Sequence, residues 1–594
     1  MPLIQEAIHK LEVAGGMRPL RIALSVLAVL AMITLYNFRA YHNMSNQEAM
    51  DAAQLARNIS QGKGYTTDFI RPFSMFLLKK NNEAQAVAGR LSELAMVKGP
   101  HPDITNPPTY PVVLAVLMKL LPLDFSMPLN RSFWGNGGNF WRFQPDFIIA
   151  IFNELLFLGS VVLLFFLARR LFDPLTAWIS AGIFFGTETF WRFSISGLST
   201  MLLVFIFLGL VWTLLLIEEQ CRNADSRKVW AVLLALASGL LVGLGCLTRY
   251  SFGWLIIPVL AFLLFFSGSR KAALLPSAFV AFALVVTPWI VRNFSVSDTP
   301  LGTSGYAIYQ DSGLFPEDML ERSLEPNFTR GRINAVTQKF LLNSRQIIQE
   351  QVPRLSGNWL GAFFIVGLMV GFANLGASRL RYFLLFCLLV FIVAQSLGRT
   401  YLSNDSPEIN SENLLVLLAP LALVFSVSFF LLLLNQIYLP LRELRYLAIA
   451  LFILAGCLPT LYTFLPPQRG PLAPAPYRPQ TAHVIGTWMK DTELAASDLP
   501  WSVAWYGQHR CLWLPRDVPQ FEEINLYYRP INLVYLTERS TEHLGSAWSL
   551  IALESLNNRA PLDFALQRIP PRQTENPAAL IGLQVILTDI DRWH

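Results

Sequence analysis

The chain has 594 residues, 53% of them hydrophobic and 14% charged, with a net charge of +6 and a mean hydropathy of +0.43. Soluble domains carry about 25% charged residues, so this composition excludes an ordinary soluble protein and predicts a polytopic α-helical membrane protein. The basic excess does not mark a nucleic-acid binder, because Lys and Arg cluster in short loops between apolar segments.

Residues 1–20 read as a cytoplasmic N-terminus. The first span, 21–37, follows Arg18 and Arg21 and reads as an uncleaved signal anchor, since many apolar segments come after it. Directly behind it, Ser45 and Glu48 have the spacing of a capping box and predict a helix start. Ala49, Ala52, Ala53, Ala56 and Ile59 give that helix one apolar face, and Gly62 stands where a helix ends. Glu48 and Asp51 share its first turn. Two readings are open for them. Glu48 completes the cap and Asp51 complements the helix dipole, or one of them is a general base for a substrate held in the membrane.

The first loop, 38–145, is long enough to imply a role. Beyond the Glu48 helix it holds Tyr65, Arg71, a polar helix near 82–97, and the run Asn106-Pro107-Pro108-Thr109-Tyr110-Pro111. The double proline is a rigid entry to the apolar stretch 109–122, which at 14 residues is short for a span and contains Lys119. It reads as an interfacial helix. About ten more spans follow, centred on 146–168, 173–189, 197–217, 229–247, 252–267, 272–291, 358–375, 382–397, 412–434 and 445–464.

With 109–122 left out of the count, Arg169/Arg170, Arg222/Arg227/Lys228, Arg270/Lys271, Arg379/Arg381 and Arg442/Arg445 all fall on the side of the N-terminus. That satisfies the positive-inside rule and turns loops 38–145 and 292–357 and the tail 466–594 outward. Loop 292–357 carries Tyr306 and Tyr309. Four arginines, Arg192, Arg249, Arg292 and Arg399, lie at the outer boundary against the usual charge bias. Each alone suits snorkelling to headgroups. Together they suit an anionic phospho-lipid, because guanidinium binds phosphate bidentately.

After a proline-rich linker the tail reads as a small α/β domain. Segments 501–507, 511–514, 531–537 and 583–588 read as strands, and helices are expected near 480–490 and 541–556. Trp501, Trp505, Tyr506 and Trp513 read as its core, or as a platform for sugars. The five cysteines show neither metal spacing nor a disulfide framework. There is no P-loop and no dinucleotide fingerprint.

These features, taken in order, resemble the GT-C superfamily of membrane glycosyltransferases, nearest to its protein O-mannosyltransferase and aminoarabinose-transferase branch. The residues that carry the likeness are Glu48, Ala56-Arg57, Gly62-Lys63-Gly64, Pro107-Pro108-Thr109-Tyr110-Pro111, Gly243 through Arg249, and Pro288-Trp289-Ile290-Val291-Arg292-Asn293. It covers 20–465. The family has Asp-Glu where this chain has Glu48-Ala49, and the aminoarabinose transferases have a Lys where it has Asn106.

The resemblance implies a GT-C-like membrane domain, 21–465; the tail 466–594, by its own segments, is expected as a separate α/β domain. It implies inverting transfer of a hexose or pentose from a polyprenyl-phosphate carrier to an acceptor hydroxyl. Glu48 or Asp51 would be the base. Arg71, Arg249, Arg292, Arg399 and Asn106 would face the carrier phosphate, and Tyr65, Tyr110, Tyr306 and Tyr309 the substrate. The expected partners are the lipid-linked sugar, membrane lipids and an acceptor protein, lipid or glycan. The expected cofactor set is empty apart from an optional divalent cation. A bacterial inner membrane with a periplasmic active face fits best. The competing readings are a flippase for lipid-linked sugars and a GT-C-fold scaffold without activity. A flippase predicts ionisable residues deep in spans and inverted repeats.

Overall fold

The computed structural model describes residues 17–87, 100–127, 142–222, 228–328, 331–355, 357, 360–371, 374–398, 409–438, 441–465, 477, 479–542, 547–556, 567–568 and 584–589. Among these, seven helices are long and apolar enough to cross a membrane: Gln144–Leu171, Thr200–Arg222, Lys228–Cys246, Gly268–Ser297, Leu375–Gly398, Ala419–Gln436 and Glu443–Thr463. Val26–Ala40, Pro174–Phe185 and Tyr250–Phe266 are apolar but shorter. The segment expected at 358–375 contains a helix of only eight residues, Leu360–Gly367. Every expected apolar segment is therefore helical in part, but several are shorter than the bilayer's apolar thickness requires of a straight helix.

Small residues let the helices approach. Gly239 and Gly243 on Lys228–Cys246 face Lys271–Ser297, and a Cβ at Gly239 would run into the carbonyl of Ala278. Close backbone approach of this kind maximises dispersion contact, which is what holds helices together where lipid is as apolar as leucine. Thr200–Arg222 is buried along most of its length, whereas Lys271–Ser297 and Arg442–Thr463 leave most of their side chains outward.

Three helices of the first loop sit on this bundle: Gln47–Ser60, Pro72–Val87 and Thr109–Leu120. The first does not use the capping box. Its N-cap is Asn46, in an extended conformation (φ −111°, ψ 132°), and no side chain caps it. The polar helix expected near 82–97 begins earlier, at Pro72, where proline suits the first turn. Residues 88–97 lie outside the described set. The 109–122 segment is a short helix ending at Leu120, and the amide of Thr109 donates to the carbonyl of Leu247, tying the double proline to the end of a spanning helix.

The tail forms a sheet whose strands run in the order Phe69–Ile70, Cys511–Trp513, Ala495–Ser497, Leu533–Leu536, Val585–Thr588, Gln567–Arg568. The first four are mutually parallel and the last two antiparallel to their neighbours. Its edge strand comes from the first loop, with Phe69 beside Cys511. Residues 501–507, expected as a strand, are instead a helix, Pro500–Tyr506. Pro500 starts it, and the segment is apolar on every side because it is buried all round.

Two buried charges seat this helix on the rest of the chain. Arg57 donates to the carbonyls of Ala504 and Trp505 at 2.8 Å each. Asp146, at the head of Gln144–Leu171, accepts from Trp505 Nε1 at 2.8 Å and Tyr506 OH at 2.6 Å. Trp501, Trp505, Tyr506 and Trp513 are fully buried, so they serve as core rather than as a platform.

Candidate active site

A cavity of about 460 Å³ opens where the first loop, the loop after Lys271–Ser297 and the end of Leu375–Gly398 meet. Glu48, Arg71, Asn106, Tyr110, Arg249, Glu321, Ser411 and Glu412 supply its polar wall. Trp254, Val393, Ala394, Leu397 and Leu414 supply an apolar one at the membrane-spanning helices. A groove that is polar at one end and lipid-like at the other suits an amphiphile with a charged head.

The two carboxylates of the first turn part company here. Glu48 lines the cavity, 29% exposed, with Oε1 3.9 Å from Arg249 Nη2. That separation is an ion pair without a tight hydrogen bond, so the carboxylate keeps free lone pairs toward the cavity. Asp51 is fully buried. It accepts from Arg71 Nη2 at 2.7 Å, Asn106 Nδ2 at 2.8 Å and Gln54 Nε2 at 3.0 Å. It does not line the cavity, and its charge is spent on holding two residues that do.

Arg71 is the hub of this network. It lies over the Phe69 ring at 3.9 Å and bridges Asp51 to Glu321, whose Oε2 is 3.2 Å from Arg71 Nε. Burial disfavours the Arg71 charge, but Asp51, Glu321 and Asp103 more than offset that and raise its pKa. Burial likewise raises Glu321, against the pull of Arg71. Asp103 is pushed up to about 6 by burial and by the nearby charge of Asp51. It accepts from the amides of Thr105 and Asn106, which fixes the turn that aims Asn106 at Asp51. His101, hydrogen-bonded to Ser74, is held down to about 4 by burial and by Arg71.

Arg249 stands just before the short helical turn Tyr250–Leu255, in an extended conformation that points it across the cavity. It donates to Ser411 Oγ. Burial lowers its pKa while Glu48 and Glu412 act to raise it. Arg192 and Arg292 do not join it in a ring. Arg292 donates to the Asp103 carbonyl and to Asn293, and its guanidinium packs on Tyr65 and Trp289, 5.5 and 4.9 Å from the ring centroids. It shapes the 103–106 turn from behind. Arg192 is on the separate helix Glu188–Ile195 and is not part of the cavity wall. Arg399 lies outside the described residues.

Of the four tyrosines expected at the site, Tyr65, Tyr110, Tyr306 and Tyr309, only Tyr110 lines the cavity, its hydroxyl donating to the Gly197 carbonyl at 2.8 Å. Tyr65 donates to the Asn106 carbonyl at 3.0 Å and supports the wall from outside. Tyr306 and Tyr309 belong to an aromatic cluster with Phe73 and Phe328. Glu321, Ser411 and Glu412 are site residues that sequence reading missed. They sit in long loops with no periodicity or motif around them. Among the described residues no group of three His, Cys, Asp or Glu side chains converges to hold a metal ion.

The same arrangement of bundle and loops is found in solved structures. Archaeal oligosaccharyltransferase AglB from Archaeoglobus fulgidus, solved with an inhibitory peptide and a dolichol-phosphate, superposes with a TM-score of 0.54 at 11% identity, over 88% of this chain and 69% of AglB. ArnT from Cupriavidus metallidurans, bound to undecaprenyl phosphate, superposes with a TM-score of 0.50 at 11% identity, over 97% of this chain and 99% of ArnT. The chain has the GT-C glycosyltransferase fold. Residues 143–291, which include Arg249 but not Glu48, match the family model described as dolichyl-phosphate-mannose-protein mannosyltransferase. No curated protein sequence matches the chain. The GT-C fold here is thus combined with a first-loop carboxylate facing an arginine across a half-apolar cavity.

Proposed function

We propose that the chain is a glycosyltransferase that moves a sugar from a polyprenyl-phosphate carrier to an acceptor hydroxyl, with Glu48 as general base. The observation that carries this reading is the Glu48–Arg249 pair in a cavity walled on one side by apolar residues of the spanning helices. The polyprenyl phosphates bound by AglB and ArnT support a carrier of the same chemistry.

In this account the carrier's isoprenoid enters past Trp254, Val393 and Leu397, and its phosphate meets Arg249. The acceptor hydroxyl attacks the anomeric carbon opposite the phosphate. The new C–O bond forms as the bond to phosphate oxygen breaks, the configuration inverts, and the hydroxyl proton passes to Glu48. The leaving group departs as polyprenyl phosphate with the bond's electron pair, and Arg249 stabilises the charge that develops on it. A base so placed contributes about 10²–10⁴-fold. Asp51 and Asn106 are positioning residues: Asp51 holds Arg71 and Asn106 at the wall and does not reach the substrate. The charge pattern of the loops supports an active face on the side of the membrane away from the cytoplasm.

The test is turnover of a panel of polyprenyl-phosphate sugars by the purified protein in lipid, with hydroxyl acceptors. Release of polyprenyl phosphate with the sugar on the acceptor is expected. Tight binding of the panel with neither transfer nor hydrolysis would overturn the reading in favour of a carrier protein.

A further inference from the structure

The helix Arg332–Gln346 presents two faces that its sequence keeps apart. Ala335 and Lys339, and Ile347 just past the helix end, point inward and are buried, and Asn343, which completes the four-residue steps between them, donates to the Ser396 carbonyl at 3.0 Å. On another side Ile333, Leu341 and Ile348 recur at helical spacing and are 82%, 59% and 54% exposed. The exposed side between that stripe and the buried face carries Asn334, Gln338, Arg345 and Gln349, with Leu342 at its edge.

The place of the helix says what covers the apolar stripe. Asn343 binds the last turns of the spanning helix Leu375–Gly398, and Gln395 of that helix donates to Gln351 at 2.7 Å. The helix therefore crosses the end of a spanning helix, at the boundary of the bilayer, and the chain turns into the apolar segment Leu360–Gly367 soon after. Leu389 and Val393, on the last turns of that spanning helix, are themselves 58% and 40% exposed.

The buried side reaches the cavity. Lys339 Nζ donates to the carbonyls of Ala307 (2.8 Å) and Gln310. Both residues line the cavity, as do Leu301, Thr303, Ser304 and Ile308 between and before them. This wall is otherwise held by the 103–106 turn. The amide of Thr303 donates to Ile104, Thr303 Oγ1 to Thr105 Oγ1, and Ser304 Oγ to the Thr105 carbonyl.

We infer that Arg332–Gln346 is a membrane-seated strut: its Ile333/Leu341/Ile348 stripe lies in the lipid surface, and Lys339 transmits that seating to the 301–310 wall of the cavity. The partner is a fluid bilayer, with Arg345 at headgroup level. Seating the stripe removes apolar area from water, and the two charge-assisted hydrogen bonds from Lys339 fix the wall where the seated helix puts it.

Two measurements test this on the full chain in vesicles of phosphatidylethanolamine and phosphatidylglycerol. Spin labels at Leu341→Cys and Ile348→Cys, with native cysteines replaced, should be relaxed more by oxygen than by a water-soluble nickel chelate, and a label at Gln338→Cys the reverse. Nickel access at all three positions overturns the lipid seating. Amide exchange needs no cysteine replacement. In Lys339→Met, and in the pair Leu341→Asp/Ile348→Asp, amides of 302–310 should exchange about tenfold faster, the size expected for losing a charged donor's hydrogen bond. The strand Cys511–Trp513 should be unchanged. Unchanged exchange in the aspartate pair, or equal acceleration at the remote strand, overturns the link between stripe and wall.

Discussion

Removing the Arg71 guanidinium should unfold more than it inactivates. Arg71, Asp51 and Glu321 have side chains only 5%, 1% and 11% exposed, and one cation serves both carboxylates. A unit charge pair about 4 Å apart is worth about 4 kcal/mol at an effective dielectric of about 20, before desolvation is charged against it. Breaking such a pair from one side leaves uncompensated charge and costs about 3–5 kcal/mol. Arg71→Met leaves two carboxylates stranded, with Asp103 beside them, so the upper half of that range is expected. Asp51→Asn should cost less, about 1–3 kcal/mol, since Arg71 keeps Glu321 and the new amide still accepts from Asn106 or Gln54. The double change Arg71→Met/Asp51→Leu should cost less than the sum, because both desolvation penalties vanish together. Denaturant unfolding in lipid nanodiscs, followed by tryptophan fluorescence, reads all three. A loss under about 1 kcal/mol for Arg71→Met, or strict additivity in the double variant, would refute the reasoning.

Three further outcomes follow from named contacts. Gly302 has φ +57° and a Cβ there would meet the Ile104 carbonyl; Gly302→Ala should cost at least about 1–3 kcal/mol and loosen the cavity wall, read as faster amide exchange at 302–310. Asp146→Ala strands the indole N–H of Trp505 and the amide of Met44 in a dry site, while the Tyr506 hydroxyl keeps the Met44 carbonyl; a loss of about 1–3 kcal/mol per stranded group should appear as faster limited proteolysis of the tail, with the bundle intact. His101 is held at about 4 from an ordinary 6.5 by burial and Arg71. Its neutral state is thus a source of stability present above pH 6.5 and lost as pH falls through about 4, worth up to about 3 kcal/mol. Asp103, raised from 3.8 to about 6, has the opposite slope in the overlapping window. His101→Gln should therefore flatten the acid side of the stability profile relative to wild type, and an unchanged profile would contradict the assignment.

The membrane architecture was legible because apolar length is a local property. Every expected apolar segment holds a helix, and the stretch around Lys119 is a helix of only 12 residues, Thr109–Leu120. The tail's failures were local too. Pro500–Tyr506 is apolar on all sides, so neither the two-residue nor the helical period could show. The proline at its start was the signal available. Ala495–Ser497 is three residues long and polar at its end, too brief to register. The site was legible only in half. Glu48 and Arg249 were found, but the capping box was not, since Asn46 takes the N-cap and Glu48 turns to Arg249. That Asp51 is consumed by Arg71, 20 residues on, and Arg71 by Glu321, 250 further, is long-range pairing that no periodicity encodes. Arg292 looked like a phosphate ligand because it ends a span, yet the Asp103 carbonyl claims it.

The most direct measurement is single-turnover transfer by Glu48→Gln beside wild type, with carrier binding measured on both. The substitution is nearly isosteric at a partly exposed position, and a loose 3.9 Å ion pair at the cavity surface is worth about 0–1 kcal/mol, so folding should be unaffected. Transfer should fall about 10²–10⁴-fold while the variant still binds polyprenyl phosphate. Wild-type transfer rates in Glu48→Gln would contradict the account and remove Glu48 from the chemistry.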